Sequence, residues 1–155
     1  MIKSYEELIE KYGTPSLEQA EQAAFSDKWL TLWKADEWER RFSKPWTVPF
    51  CRMYVNRDLI DALDNTFFFL DFCGVISELK TFDGCYCVRD IRGKPGKWSI
   101  HSWGLAVDLN AAENPLGGPV TFSRKFLEIW RLCGWTVGAD FDRQDGMHMQ
   151  LCSAF

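Results

Sequence analysis

The chain has 155 residues, 46% of them hydrophobic, including eight Trp and twelve Phe. This length and apolar content predict one domain around a single packed core. The formal net charge of −4 and the single short basic cluster, between Arg89 and Lys97, exclude the broad basic surface that nucleic-acid binding requires.

No targeting segment is visible in the sequence. The region Met1–Lys11 is charged and lacks the apolar stretch of a signal peptide, and apolar runs of about 18 residues are missing. We therefore expect a monomer that is made in the cytoplasm without stable membrane association. Six cysteines without a CxxC pair argue against a zinc ribbon, and in a reducing compartment we expect thiols.

Two helices are predicted near the N-terminus. A capping-box pattern at Ser4, with Gly13 as the end, predicts a helix over residues 4–12. The same pattern at Ser16 predicts a second helix running toward Phe25.

The segment that follows is harder to interpret. Residues 27–42 are aromatic and charged, and their apolar positions have no clear period, so they predict neither a helix nor a strand. Residues 1–45 as a whole are predicted to form an N-terminal helical segment whose role stays open. Residues 48–55 are a candidate strand. Asn56 is placed to cap a helix over residues 57–73, which has apolar residues at helical spacing.

A hairpin is predicted next. Residues 75–82 and 85–91 have the composition of strands, and the dipeptide Asp83-Gly84 between them is a common hairpin turn. Residues 93–96, rich in Gly and Pro, are predicted to form a loop.

Two short segments toward the C-terminus alternate with a period of two. In residues 105–110, Asp108 lies on the face opposite the leucines, and in residues 147–152, His148 lies opposite the methionines and Leu151. Pairing these strands would put both side chains on one side of a sheet. A helix is predicted between them, starting at Thr121 or Ser123 and ending near Cys133. Together these elements predict an α+β fold: a single domain over residues 1–155 with a central antiparallel or mixed sheet flanked by helices.

Residues on and near these two segments are suited to zinc. His101, Asp108 and His148 supply two imidazoles and a carboxylate, and three protein ligands leave a tetrahedral zinc one open position, which is typical of a catalytic site. We expect one zinc ion per chain. Asp145 lies three residues before His148, where it could take a proton from water as a general base.

Several other residues are weaker candidates. Arg89 is the first candidate for stabilising an oxyanion and Arg92 the second. Arg92, Ser99, Trp103 and Gln150 are candidate substrate-binding residues. Taken singly, a histidine, Asp108, Asp145 or one of the arginines is more often structural or solvated, so the metal hypothesis depends on these residues occurring together.

A known pattern contains these residues. Ser99-x-His101-x-x-Gly-x-Ala-x-Asp108, followed by Asp145-Gly-Met-His148, resembles the zinc peptidases that cut peptidoglycan peptides. These include VanY-like D-alanyl-D-alanine carboxypeptidases, VanX-like dipeptidases and phage endolysins with L-alanyl-D-glutamate peptidase activity. The resemblance covers about residues 83–151, and Met149 stands where the family usually has an aromatic residue.

The resemblance implies roles and a fold. His101, Asp108 and His148 would be the zinc ligands, Asp145 the general base and Arg89 the electrostatic stabiliser, in a hedgehog/DD-peptidase-like domain. An Asp at position 145 is similar to the endolysin branch. The resemblance therefore favours an endolysin that cuts the peptidoglycan stem peptide and reaches the cell wall after release by a holin.

Three alternatives stay open. The chain could be a D-alanyl-D-alanine carboxypeptidase, which differs only in the bond that is cut. It could also be a non-catalytic zinc-containing module that binds the wall on the same scaffold. The third alternative is a structural phage protein.

Overall fold

The structure is a computed structural model, which describes residues 4–153. Five α-helices are present in this part of the chain: α1 Tyr5–Tyr12, α2 Gln19–Trp29, α3 Ala35–Phe42, α4 Ile60–Phe72 and α5 Arg124–Leu132. The strands are β1 Leu30–Lys34, β2 Arg52–Asn56, β3 Phe82–Gly84, β4 Asp90–Ile91, β5 Lys94–Trp98, β6 Ala106–Leu109, β7 Thr136–Val137 and β8 His148–Gln150. None of the helices in residues 4–153 is long and apolar enough to cross a bilayer.

The central sheet has four strands in the order β3-β6-β8-β7, and each neighbouring pair is antiparallel. Two smaller two-stranded sheets, β1-β2 and β4-β5, accompany it. The buried apolar side chains of helices and strands form one core. The predicted α+β class with a central antiparallel sheet is confirmed.

Local sequence explains the helices that were predicted. Ser4 and Ser123 each accept a hydrogen bond from a backbone N–H in the first turn of their helix, and Gly13 follows α1 with a φ of 84°. Asn56 caps the turn of 3₁₀ helix that leads into α4. The second helix begins later than predicted, at Gln19.

The predicted hairpin around Asp83-Gly84 is wrong. Residues 76–78 form a turn of 3₁₀ helix, and Gly84 pairs with Asp108 of β6 instead of turning the chain. The hairpin is β4-β5, with Gly93 at a φ of 83° in its turn, so the predicted loop over residues 93–96 is partly strand. Turn dipeptides and apolar runs do not reveal which strand a segment pairs with, and that pairing is a long-range effect.

The N-terminal helical segment packs against the part of the chain that carries His101. The Trp103 indole N–H donates to the Gly13 carbonyl at 2.8 Å, and the rings of Tyr5 and Trp103 meet edge to face at 5.8 Å. The unassigned stretch 27–42 contains β1 and α3. Because α1 covers Trp103, it supports the segment next to the candidate site.

Candidate metal centre

Three elements bring the predicted ligands together. His101 lies in the 3₁₀ helix Ile100–Trp103, which Gly104 ends in a left-handed conformation with a φ of 65°. Asp108 lies in β6 and His148 in β8, directly opposite each other in the register of the ladder. The turn at Gly104 sends the chain from the His101 helix into β6, so two ligands seven residues apart converge.

The ligand atoms lie at similar distances from one another. His101 Nε2 is 3.1 Å from His148 Nδ1 and 3.2 Å from Asp108 Oδ1, and His148 Nδ1 is 3.4 Å from the same oxygen. A tetrahedral zinc with bonds of 2.0–2.2 Å needs ligand atoms about 3.3–3.6 Å apart. The three distances lie within this range or slightly below it, so the three atoms are close enough together to hold a single small cation.

Hydrogen bonds fix the tautomer of both rings. His101 Nδ1 lies 2.6 Å from the Cys85 carbonyl oxygen, and His148 Nε2 lies 2.8 Å from Gln150 Oε1. The Gln150 amide is oriented by its Nε2, which donates to the Cys152 carbonyl. Each neutral ring thus carries its proton on the nitrogen away from the centre, and the inward nitrogens present lone pairs.

The hydrogen bonds of His101, His148 and Asp108 indicate whether these three side chains can hold a metal ion. The His–Asp distances would suit ion pairs if the rings were charged, yet Asp108 Oδ1 is buried without a hydrogen-bond partner among residues 4–153. Because the protons of the neutral rings point elsewhere, three acceptor atoms face one another. Only a cation satisfies all three, so the residues fit a divalent metal.

The three ligands differ in exposure and charge. The side chain of Asp108 is 21% exposed, against 3% for His101 and 9% for His148, so Asp108 is the most exposed of the three. Burial alone would raise the pKa of Asp108, but hydrogen bonds and positive charge from His101 and His148 in their protonated forms outweigh burial and hold this pKa well below its usual range. A cation bound between the three side chains would act in the same direction. Asp108 is therefore ionised at neutral pH.

Asp145 lies beside this group as a second carboxylate. Burial raises its pKa above the usual range, the Asp108 charge adds to the rise, and His148, His101 and Arg92 oppose it. Its Oδ1 is buried without a hydrogen-bond partner among the described residues. A half-buried carboxylate with a raised pKa holds a proton more readily than an exposed one, which suits an acid-base group.

The two predicted arginines lie in different settings. Arg89 precedes β4, and its guanidinium donates to the neighbouring Asp90 carbonyl at 3.2 Å. Arg92 is exposed in the β4-β5 turn, and its charge acts on Asp145. Arg92 is thus the arginine for which the structure gives an electrostatic link to the site.

The remaining candidate residues are buried. Ser99 is 5% exposed and precedes the His101 helix, and Trp103 is fully buried in the core. Gln150 is 3% exposed and accepts from His148. In this structure Gln150 orients a ligand, whereas Trp103 anchors α1.

One functional group was missed in the sequence. The Cys85 carbonyl fixes the His101 tautomer, and a backbone carbonyl leaves no trace in residue type. Burial raises the pKa of the Cys85 thiol to about 12, and the thiol donates to the Gly104 carbonyl. Cys85 therefore contributes through its main chain, with a neutral side chain.

Two imidazoles whose outer nitrogens are hydrogen-bonded, an ionised carboxylate and a nearby acid are the components of a metal-dependent hydrolase site. Residues 92–151 match a family model described as D-alanyl-D-alanine carboxypeptidase. The match includes His101, Asp108, Asp145 and His148 and leaves Arg89 outside. It confirms the resemblance and supports a peptidase. No curated protein and no solved structure matches the chain.

Proposed function

We propose that the chain is a zinc-dependent peptidase that hydrolyses the stem peptides of peptidoglycan, as an endolysin-type L-alanyl-D-glutamate endopeptidase. The observation that carries the proposal is the convergence of three acceptor atoms within 3.4 Å, beside the half-buried Asp145. The family match over residues 92–151 supports peptide hydrolysis as the reaction.

Each residue of the centre has a defined task. His101 Nε2, His148 Nδ1 and Asp108 Oδ1 would hold the ion, and the Cys85 carbonyl and Gln150 keep both rings in the binding tautomer. When bound, zinc lowers the pKa of a water molecule and polarises a carbonyl group. The exposed side of Asp108 leaves room for the substrate to approach.

Asp145 moves the proton. In the proposed reaction its carboxylate accepts a proton from the attacking water and passes it to the nitrogen of the leaving amine. Burial favours the protonated form that exists between these two steps. In this proposal Arg92, whose charge reaches Asp145, offsets the negative charge that develops on the substrate or binds a substrate carboxylate.

A D-alanyl-D-alanine carboxypeptidase is the second candidate. The description of the matching family model favours it directly. Both reactions use the same ligands and the same acid, so they differ only in how the peptide lies across the site.

Product analysis separates the candidates. Purified peptidoglycan is incubated with zinc-loaded protein, with chelator-treated protein and with His148→Ala, and the soluble products are identified by mass spectrometry. Cleavage next to D-glutamate supports the endopeptidase, whereas loss of a terminal alanine supports the carboxypeptidase. Binding to the wall without any released peptide would refute both and indicate a non-catalytic module.

The site of action is a further part of the proposal. We propose that the protein acts on the cell wall after holin-dependent release from the cytoplasm. Expression with and without a holin tests this, because lysis should require both proteins and an intact Asp145.

A further inference from the structure

Gly138 lies where two parts of the candidate centre meet. It is buried at the start of the 3₁₀ turn Gly138–Asp140, directly after β7. Its carbonyl accepts hydrogen bonds from the N–H of Asp145 at 2.8 Å and of Phe141 at 3.1 Å, and the Asp145 carbonyl accepts from the His148 N–H at 3.0 Å. A continuous set of backbone hydrogen bonds thus links Gly138, the acid and a metal ligand.

The absence of a side chain at Gly138 permits this contact. A Cβ atom there would lie 2.3 Å from the Asp145 carbonyl oxygen and 3.0 Å from the His148 Cβ. Gly138 does not have a left-handed backbone, so alanine is compatible with its conformation. Lack of space is therefore what excludes a side chain at Gly138. Because the nearest atom to an added Cβ belongs to the Asp145 backbone, the turn over residues 145–148 would have to move to admit it.

A second contact holds the same turn. A Cβ atom at Gly146 would lie 3.1 Å from both the Asn114 Cβ and the Val120 Cγ2. Asn114 is fully buried, and its Oδ1 accepts from the Thr121 N–H at 2.7 Å. The turn therefore has little freedom to adapt to an added methyl group.

We propose that Gly138 is a positioning residue: it lets the 145–148 turn pack against the end of β7 and so sets the distance between the Asp145 carboxylate and the metal ligands. This inference rests on the proposed function, in which Asp145 transfers the proton. Displacing a catalytic group by about 1 Å can cost about 10²-fold in rate. Gly138 acts through Asp145 and needs no contact with the substrate.

The test compares Gly138→Ala with Leu63→Ala. Leu63 is fully buried in α4, whose main contacts are with α5 and the neighbouring 3₁₀ turns, so this control lowers stability without crowding the 145–148 turn. We expect zinc-loaded Gly138→Ala to lose about 10²-fold in kcat with little change in KM. Leu63→Ala should keep the wild-type kcat per folded molecule.

A double-mutant cycle distinguishes positioning from general destabilisation. Asp145→Glu already displaces the carboxylate, so adding Gly138→Ala should cost far less in that background than in the wild type. Equal costs in both backgrounds would overturn the proposal. So would a kcat for Gly138→Ala that falls only in proportion to the unfolded or zinc-free fraction.

An independent readout separates this proposal from the proposed function. In Gly138→Ala, the amide resonances of Asp145 and His148 should shift in NMR spectra of the zinc-loaded and zinc-free protein, and in Leu63→Ala they should not. If the wild type cleaves no peptide but these resonances shift, the proposed function fails and the placement of the turn by Gly138 stands. Unshifted resonances would overturn the positioning role.

A milder variant covers the case in which Gly138→Ala does not fold. Gly146→Ala crowds the same turn at 3.1 Å, and we expect a loss of about tenfold in kcat from a smaller displacement. A wild-type kcat in Gly146→Ala would show that the position of the turn does not control the reaction, which would overturn the proposal.

Discussion

Asp108 and His148 are direct partners across the β6-β8 ladder, and their side chains meet with 3.4 Å between Oδ1 and Nδ1. Directly opposite residues of antiparallel strands project their side chains to the same face of the sheet. Two of the three candidate ligands are therefore fixed relative to each other by the sheet itself.

Removing one ring should abolish metal binding. We expect wild-type protein to bind about one zinc ion per chain and His148→Ala to lose it, because two remaining ligands cannot complete a catalytic site. Metal analysis after dialysis measures this. The matched control is Met149→Leu, a conservative core change next to His148, which should keep the zinc; full zinc retention by His148→Ala would exclude the proposed ligand set.

The hydrogen bond from Gln150 should tune metal affinity. Gln150→Leu removes the acceptor for His148 Nε2, and loss of such a partner costs about 10–100-fold in metal affinity. Competition with a chelator of known affinity measures the change. Gln150→Glu keeps an acceptor and should stay near wild type, and the exposed Gln19→Leu serves as a distant control. Equal affinities in Gln150→Leu and wild type would contradict the role.

Asp145 should matter for turnover and little for metal binding. Asp145→Asn keeps the size of the side chain but cannot accept the proton, so we expect a loss of about 10²–10⁴-fold in kcat with zinc retained. Steady-state kinetics on a peptidoglycan fragment, together with zinc analysis of the same sample, measures both. Unchanged hydrolysis would remove Asp145 from the mechanism.

Substitutions of Arg92 and Arg89 should reduce activity to different extents. Arg92 acts electrostatically on Asp145, whereas the Arg89 guanidinium bonds to the adjacent backbone. We expect Arg92→Gln to lower kcat/KM by about 10²-fold, as for loss of an oxyanion stabiliser, and Arg89→Gln to have a smaller effect. The reverse order would restore Arg89, the residue that the family resemblance indicates.

Alkaline pH should weaken the packing of α1. Burial raises the pKa of Tyr5 to about 12, and burial together with the hydrogen bond to Asp58 raises that of Tyr12 further. The stability that each tyrosine adds through its raised pKa is fully present below the ordinary tyrosine pKa of about 10. This stability is lost as pH rises from there toward the folded-state values, because the unfolded chain then releases its protons first.

Urea unfolding between pH 8 and about pH 11.5 checks this pH dependence. The double variant Tyr5→Phe/Tyr12→Phe should show a flatter decline in the free energy of unfolding above about pH 10 than the wild type. An identical decline would mean that the two phenols do not contribute.

Some of the fold was accessible from local patterns. Helix caps at Ser4, Asn56 and Ser123 and the alternation around Asp108 and His148 are short-range properties, and the structure agrees with each of them. The pairing of β3 with β6 was not accessible, because it joins two segments that lie far apart in the chain. The acceptor for His101 was hidden for the same reason, since it is a backbone carbonyl sixteen positions away in the chain.

The sequence by itself determined which side chains are available for a metal: the two histidines of the chain, Asp108 and the nearby Asp145, with Asp108 and His148 on the polar sides of alternating segments. The tertiary structure alone decided that three acceptor atoms meet within 3.4 Å with both ring protons turned outward. It also decided that Gly138 leaves space for the turn that carries the acid. The residue types define which atoms can bind a metal. The distances between those atoms, and the direction in which the ring protons point, depend on which backbone segments pack together.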